Sequence, residues 1–301
     1  MTPTSIGDII KPWGDREMIH FHIPSIKNYD VSYYFSEKTE GPKKYPFHVN
    51  DKLEFYVLLE GDVSFAVDSS VYNLKAGDAI VTRPNEMHNC IVNSNSFHKH
   101  MCLWFESENE FLFSDFLKHD FGQNNHIIPD EEGRARLFEI CNTLREIEPD
   151  KDNHLRFILT LELLYIFRKF IPNENKGIKE LPENLKIILS DIEVNFKEIH
   201  SLLYFEQKYY ISASTLNRLF NKYLHTTPKS YIESKKLANS RKLLKSGKSV
   251  LYSSVESGFF DYSNYIRLFK KRFGVTPRQY REEEKPERSL DSFKDSRGKR
   301  R

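Results

Sequence analysis

"RLFNKYLHTTPKSYIE" runs from Arg218 to Glu233, and "RLFKKRFGVTPRQYRE" runs from Arg267 to Glu282. Arg, Leu, Phe, Lys, Thr, Pro, Tyr and Glu recur in register at an offset of 49 residues. In the first copy Ser212 is placed to cap a helix by accepting the amide proton of Thr215. Leu216, Leu219, Phe220 and Tyr223 then recur at i, i+3, i+4 and i+7, one apolar face. The opposite face carries Ser214, Asn217, Arg218, Asn221 and Lys222, none of them acidic. In the second copy Asp261 is the cap, and Tyr265, Leu268, Phe269 and Phe273 form the apolar stripe. Ser263, Arg267, Lys270 and Lys271 look outward. Gly274 suits the left-handed residue that ends a helix, and Thr227-Pro228 and Thr276-Pro277 each begin the next one with proline at its first position.

A shorter amphipathic segment precedes each copy, "SLLYFEQKYYI" in one and "SVLYSSVESGF" in the other. Helix, tight turn and second helix make a helix-turn-helix, whose second helix enters the DNA major groove. Arg pairs in bidentate fashion with guanine and Asn with adenine, so Asn217, Arg218 and Arg267 are base-reading candidates. Lys222, Lys270 and Lys271 suit phosphates, which add affinity without sequence information. One polar helix face is ordinarily only a solvated face; two copies in register, with nearly all acids excluded, argue for more. Between them, Pro228–Gly247 reads as one helix with Tyr231, Leu237, Leu243 and Leu244 as apolar positions. A helix of roughly 18 residues covers about 27 Å, on the scale of the roughly 34 Å between successive major grooves on one DNA face.

Charge is segregated along the 301 residues. Residues 1–150 hold 14 Lys+Arg against 25 Asp+Glu, and residues 207–281 hold 16 against 3. A basic half beside an acidic half points to a polyanion partner for one half only. No window approaches the ~18 apolar residues of a membrane span and no signal-peptide core opens the chain, which predicts a soluble, cytoplasmic protein with no membrane partner. Cys90, Cys102 and Cys141 make no CxxC pair and are expected as reduced, buried thiols.

Ahead of the repeat, "VSYYFSE" (Val31–Glu37), "EFYVLLEGDVSFAV" (Glu54–Val67), "DAIVTRP" (Asp78–Pro84) and "HMCLWFE" (His100–Glu106) are short β-branched and aromatic runs, parted by turns such as Glu60-Gly61-Asp62. They predict a barrel or sandwich. From about Gly133 the period becomes helical. "HLRFILTLELLYIFRKFI" (His154–Ile171) is apolar on more than one face, so it is covered either within the monomer or by a second copy. The expected organisation is α+β. It comprises a β-barrel domain over 1–130, a helical dimerisation region over 131–172, a linker over 173–184, an all-α domain with two helix-turn-helix units over 185–284, and a disordered tail over 285–301.

Residues 185–282 resemble the DNA-binding domain of the AraC/XylS family of transcription regulators, most specifically over "GFFDYSNYIRLFKKRFGVTPRQYR" (Gly258–Arg281). The resemblance implies base-facing positions at Ser214, Asn217 and Arg218 in the first unit. In the second it implies Tyr262, Ser263, Asn264 and Arg267. Glu206 stands where a small residue is usual, Tyr210 where a turn glycine is usual, and Ser253-Ser254 where Ile-Ala is common.

"FHVNDKLEFYVLLEG" and "LKAGDAIVTRPNEMH" resemble the two cupin motifs, with His48, Glu54, Gly61, Gly77, Pro84 and His88 at motif positions. Many regulators of this family carry such a barrel as a sensor. Metal-dependent cupins place a second His where Asn50 stands here, so no metal, no cofactor and no catalytic residue is assigned. His48, Glu54, Tyr56, His88 and Trp104 are instead expected to line an effector pocket, since small-molecule sites combine aromatic walls with a few placed polar groups. The function expected is a ligand-responsive, sequence-specific DNA-binding transcription regulator and not an enzyme. Its partners would be promoter DNA, a small-molecule effector such as a sugar, a second copy of the chain and, further, RNA polymerase. The alternative is a metal-dependent cupin enzyme fused to a DNA-binding module.

Overall fold

The computed structural model describes residues 19–22, 30–39, 47–50, 52–95, 97–105, 110–148, 151–172 and 181–283. The expected tail over 285–301 and most of the expected linker over 173–184 lie outside them.

Two antiparallel sheets face one another. The larger has the strand order β1 (Ile19–His22), β2 (Asp30–Thr39), β8 (Phe97–Phe105), β3 (Leu53–Glu60), β6 (Ala79–Thr82) and β9 (His126–Ile127). The smaller has the order β5 (Ser70–Leu74), β4 (Val63–Val67) and β7 (His88–Val92). β5 and β7 were not foreseen: "SVYNL" and "HNCIV" are short and carry Ser, Asn and His among their apolar residues. The Glu60-Gly61-Asp62 turn forms as expected. Gly61 has φ 117°, and a Cβ there would stand 2.9 Å from the Phe97 carbonyl oxygen.

Strand alternation sends successive side chains to opposite faces, and here both faces are buried. Between the sheets lie Tyr34, Tyr56, Leu58, Ile80 and Cys102 from the large one and Phe65, Val67, Tyr72 and Cys90 from the small one. The outer face of the large sheet offers Tyr33, Phe55, Val57, Val81, Met101, Leu103 and Phe105. Three helices cover it: α1 (Glu110–Leu117), α2 (Glu131–Glu146) and α3 (Asn153–Lys169). Most of α3 is thereby covered within the monomer, through Leu159, Leu163, Leu164, Ile166 and Phe167. Ile158 and Tyr165 remain 58% and 67% exposed.

Arg156 on α3 is fully buried, with no carboxylate partner among the described residues. Its guanidinium donates to Tyr33 Oη, to Asn153 and to the carbonyls of Ile147, Glu148 and Lys151, which pins the α2–α3 connection. All three cysteines are buried free thiols, as expected.

The second half is helical: α4 (Glu183–Asn195), α5 (Leu203–Tyr209), α6 (Ala213–Leu224), α7 (Pro228–Lys245), α8 (Val250–Val255), α9 (Tyr262–Phe273) and α10 (Pro277–Glu283). The described residues fall into two compact units that divide within α7, one reaching Ala238 and the other starting at Asn239. α7 differs from its reading in one respect. Leu243 is only half-buried, while Lys235, Lys236 and Arg241 are inside.

Candidate nucleic-acid interface and barrel interior

The two repeat helices form as their sequences dictate. Ser212 Oγ accepts the Thr215 amide at 3.2 Å, and Asp261 Oδ1 accepts the Asn264 amide at 2.9 Å. α6 buries Leu216, Phe220 and Leu224, and α9 buries Tyr265, Phe269 and Phe273. Leu219, Tyr223 and Leu268, expected in the stripes, are half-buried at their edges. The stripe is thus an i, i+4, i+8 row.

Opposite these rows stand the predicted contact residues. On α6, Ser214, Arg218 and Lys222 are exposed, and Asn217 is half-buried with Nδ2 donating to the Ala213 carbonyl at 2.8 Å. On α9, Tyr262, Ser263, Arg267, Lys270 and Lys271 are exposed and Asn264 is half-buried. Asn264 Oδ1 accepts from Arg267 Nη2 at 2.7 Å, which orients the guanidinium along the helix surface. None of the ten is sealed in a core. Each face presents cations, hydroxyls and amides with no carboxylate among them.

The turns differ. α9 is preceded by Gly258 at φ 78°, a conformation that costs glycine little. α6 is preceded by Tyr210 at φ 54°, with its ring 93% exposed and its amide donating to the Glu206 carbonyl. The departure seen in the sequence is therefore a real one, since a bulky side chain occupies a left-handed turn position.

Inside the barrel the five predicted pocket residues share the inner faces, in two groups. His48, Glu54 and His88 form the first; their ligand atoms lie within 4.8 Å of one another. The His48 and His88 rings have centroids 4.2 Å apart. His88 Nδ1 is 2.9 Å from the Glu86 carbonyl oxygen and so donates to it, which leaves Nε2 facing Glu54 Oε2 at 3.2 Å. A neutral ring would then aim its lone pair at a carboxylate. Burial pulls the His88 imidazole down, but the hydrogen bond and charge of Glu54 outweigh it and hold the ring above the ordinary histidine range. Asn50 Nδ2 also donates to Glu54 Oε2. Asn50 thus serves the carboxylate where a metal-binding cupin would offer another imidazole.

The second group surrounds Tyr56 and Trp104. Tyr56 Oη is 2.6 Å from His98 Nε2, and the Cys90 thiol donates to it at 3.6 Å. Burial pushes the Tyr56 phenol well above its ordinary value. Tyr34 stacks on Trp104 at 5.3 Å, and its hydroxyl lies 3.4 Å from His100 Nε2. The sequence reading missed Tyr34, His98 and His100. The signal was present: His98, His100 and Cys102 precede Trp104 at two-residue spacing on β8, and Tyr34 pairs with Cys102 across β2 and β8. Ser36 Oγ and Thr82 Oγ1 are buried in the barrel wall with no hydrogen-bond partner among the described residues.

Comparison with known proteins bears on both regions. A helix-turn-helix domain model matches residues 207–283, and a cupin domain model matches residues 37–105. The HTH-type transcriptional activator RhaS of Escherichia fergusonii is 23% identical over 240 residues, 76% of this chain and 85% of that protein. The virulence regulon transcriptional activator VirF of Yersinia enterocolitica is 24% identical over 245 residues, 75% of this chain and 87% of its own. The crystal structure of ToxT from Vibrio cholerae matches over 86% of this chain and 98% of ToxT, at 13% identity with a TM-score of 0.35.

Proposed function

We propose that this chain, an AraC-family transcription regulator with a cupin domain toward its N-terminus, reads promoter DNA with α6 and α9 and responds to a small molecule inside the barrel. The observation that carries the DNA reading is the duplicated, capped helix with an exposed, acid-free face. Arg218 and Arg267 occupy the same position in the two copies and would read bases, with Asn217, Asn264, Ser214, Ser263 and Tyr262 beside them. Lys222, Lys270 and Lys271 would hold phosphates and set the register on the duplex. A place in the cytoplasm follows from that role, and no helix among the described residues is long and apolar enough to cross a membrane.

The effector reading rests on the chemistry of the barrel. Its interior carries imidazoles and phenols, and two buried hydroxyl oxygens without partners among the described residues, where an apolar core would satisfy packing alone. Such a lining suits a small polar molecule, a sugar among them, held by hydrogen bonds against aromatic walls. The ligand would act by favouring one arrangement of an existing equilibrium. Selection of bound sequences from a random duplex library tests the DNA reading. Wild type should enrich a bipartite site, and Arg267→Ala should lose it while keeping the wild-type circular dichroism spectrum. Enrichment that survives Arg267→Ala would remove that residue from base reading.

The convergence of His48, Glu54 and His88 favours a second reading, in which these side chains hold a divalent cation in a cupin enzyme that also carries a DNA-binding module. Elemental analysis decides between the two. Stoichiometric iron, manganese or zinc that disappears in His48→Ala would favour the second.

A further inference from the structure

The barrel and the first helix-turn-helix unit share a core; Ala66 of β4 and Val71 of β5 enter it, and so do two segments that carry the His48–His88 pair. In Phe47–Val49 the His48 side chain lies beside His88 inside the barrel, while Phe47 and Val49 on the other side enter a cluster with Leu185, Ile188, Leu216, Phe220, Tyr231 and Ile232 of the helical unit. β7, with Met87 just before it, repeats the pattern. His88 and Cys90 face inward, and Met87 and Ile91 join the helical cluster. The two segments are tied by reciprocal bonds, His48 N–H to the His88 carbonyl at 3.0 Å and His88 N–H to the His48 carbonyl at 2.9 Å. Any shift of the His48–His88 pair therefore moves side chains on both sides.

From there a short series of rings reaches α6. Phe47 meets Tyr231 edge-on at 5.0 Å, and Tyr231 meets Phe220, the central buried residue of α6, at 5.6 Å. A polar clamp holds Tyr231 in place. Its hydroxyl donates to the Asp68 carbonyl at 3.0 Å, and one turn further along α7 Lys235 Nζ bonds both Asp68 Oδ1 and Glu193 Oε2. Asp68 is buried in the β4–β5 turn at φ 45°, with its amide on the Met87 carbonyl at 2.7 Å. Burial lifts its carboxyl to about 6, so it is ionised at neutral pH. Burial pulls the Lys235 ammonium down, and the two flanking carboxylates more than restore it. One clamp thus joins a sensor turn, α4 and α7. The contact leaves Ser214, Arg218 and Lys222 exposed, so it does not work by covering the basic face.

We propose that Phe47–Val49 and β7, through Tyr231 and Phe220 and under the Asp68–Lys235–Glu193 clamp, transmit the state of the barrel interior to the inner face of α6 and so set the orientation of its DNA-facing side. This rests on the reading of the barrel as the effector site and of α6 as a DNA-reading helix. The interior is the input, the clamp fixes the docked arrangement, and α6 is the output.

The test is amide hydrogen exchange on the full chain, which needs neither DNA nor effector. Conservative changes inside the barrel, His88→Gln and separately Glu54→Gln, should speed exchange of α6 amides at least threefold while leaving α9 unchanged. In a Lys235→Met background the same barrel changes should add nothing to α6, and Lys235→Met alone should speed α6 exchange at least tenfold. Tyr231→Phe, which keeps the ring and removes the hydroxyl, should give an intermediate effect and guards against a misfolded variant. If the barrel changes alter β3 and β7 exchange yet leave α6 at the wild-type rate, the coupling is overturned. The library selection described above reports separately on DNA reading, so loss of one result leaves the other standing.

Discussion

At the scale of single residues, Tyr210 and Arg156 show opposite bargains. Tyr210 holds a left-handed conformation that disfavours any residue with a Cβ, and its ring, 93% exposed, gains little packing in return. Tyr210→Gly should therefore stabilise the protein by about 0.5–1 kcal/mol, after glycine's greater freedom in the unfolded chain is discounted. Urea denaturation checks the sign; a destabilised variant would mean that the ring does more than the exposed surface suggests. Arg156 is the reverse, a buried cation whose donors serve backbone carbonyls at the α2–α3 connection. Arg156→Met removes the guanidinium donors from the Ile147 and Lys151 carbonyls, while the Glu148 carbonyl keeps the Lys151 amide, and should cost about 3 kcal/mol by the same measurement. Tyr210 was legible where a turn glycine is usual, but the Arg156 effect was not, because a burial partner that is a backbone carbonyl leaves no mark in the sequence.

Asp78 adds a pH dependence at the same scale. Burial raises its carboxyl, but bonds from His126 Nε2, the Lys75 amide and Arg134 outweigh this and hold it below its ordinary 3.8. A lowered carboxyl pKa stabilises the fold above the unfolded value and loses that contribution as pH falls through the folded one. Melting temperatures measured from pH 5 down to pH 2.5 should fall more steeply for wild type than for Asp78→Asn, with the difference arising below pH 4. Parallel curves would show that Asp78 is not the group responsible.

At the scale of elements, the helices were the most readable part. Ser212 and Asp261 announced their caps, and the apolar rows of α6 and α9 were visible in their spacing, to within the shift from Tyr223 to Leu224. Strands with β-branched and aromatic runs were equally plain. β5 and β7 were not, because Ser70, Asn73, His88 and Asn89 break up the short apolar runs that mark a strand. The same cause hid His98 and His100. A polar barrel interior removes the alternation by which its own lining would be recognised. Lys235 and Lys236 escaped for a different reason: their partners, Asp68 and the Ile199 carbonyl, lie far off in the chain, and a buried lysine looks like a surface one until tertiary structure supplies them.

On the scale of the whole molecule, charge and association are the properties to test. Ile158 and Tyr165 sit seven residues apart on α3 and stay exposed, the remnant of its second apolar face. If a second copy covers that face, Tyr165→Glu should convert a dimer to a monomer in sedimentation velocity without lowering the melting temperature. The basic excess of residues 207–281 makes a sharper prediction, because not all of it faces solvent. Lys235, Lys236 and Arg241 are buried, and the Lys236 ammonium, lowered by its burial, donates to the Ile199 carbonyl. Each phosphate neutralised on duplex DNA contributes about 0.9 to the slope of log affinity against log salt. Lys270→Ala, which removes an exposed cation from α9, should flatten that slope by about one. Lys236→Met removes the same formal charge and should leave the slope unchanged, whatever it does to stability. Fluorescence anisotropy on a selected duplex between roughly 50 and 200 mM salt separates the two. Equal slopes for both variants would mean that net charge, and not the exposed face of α9, governs the encounter with DNA.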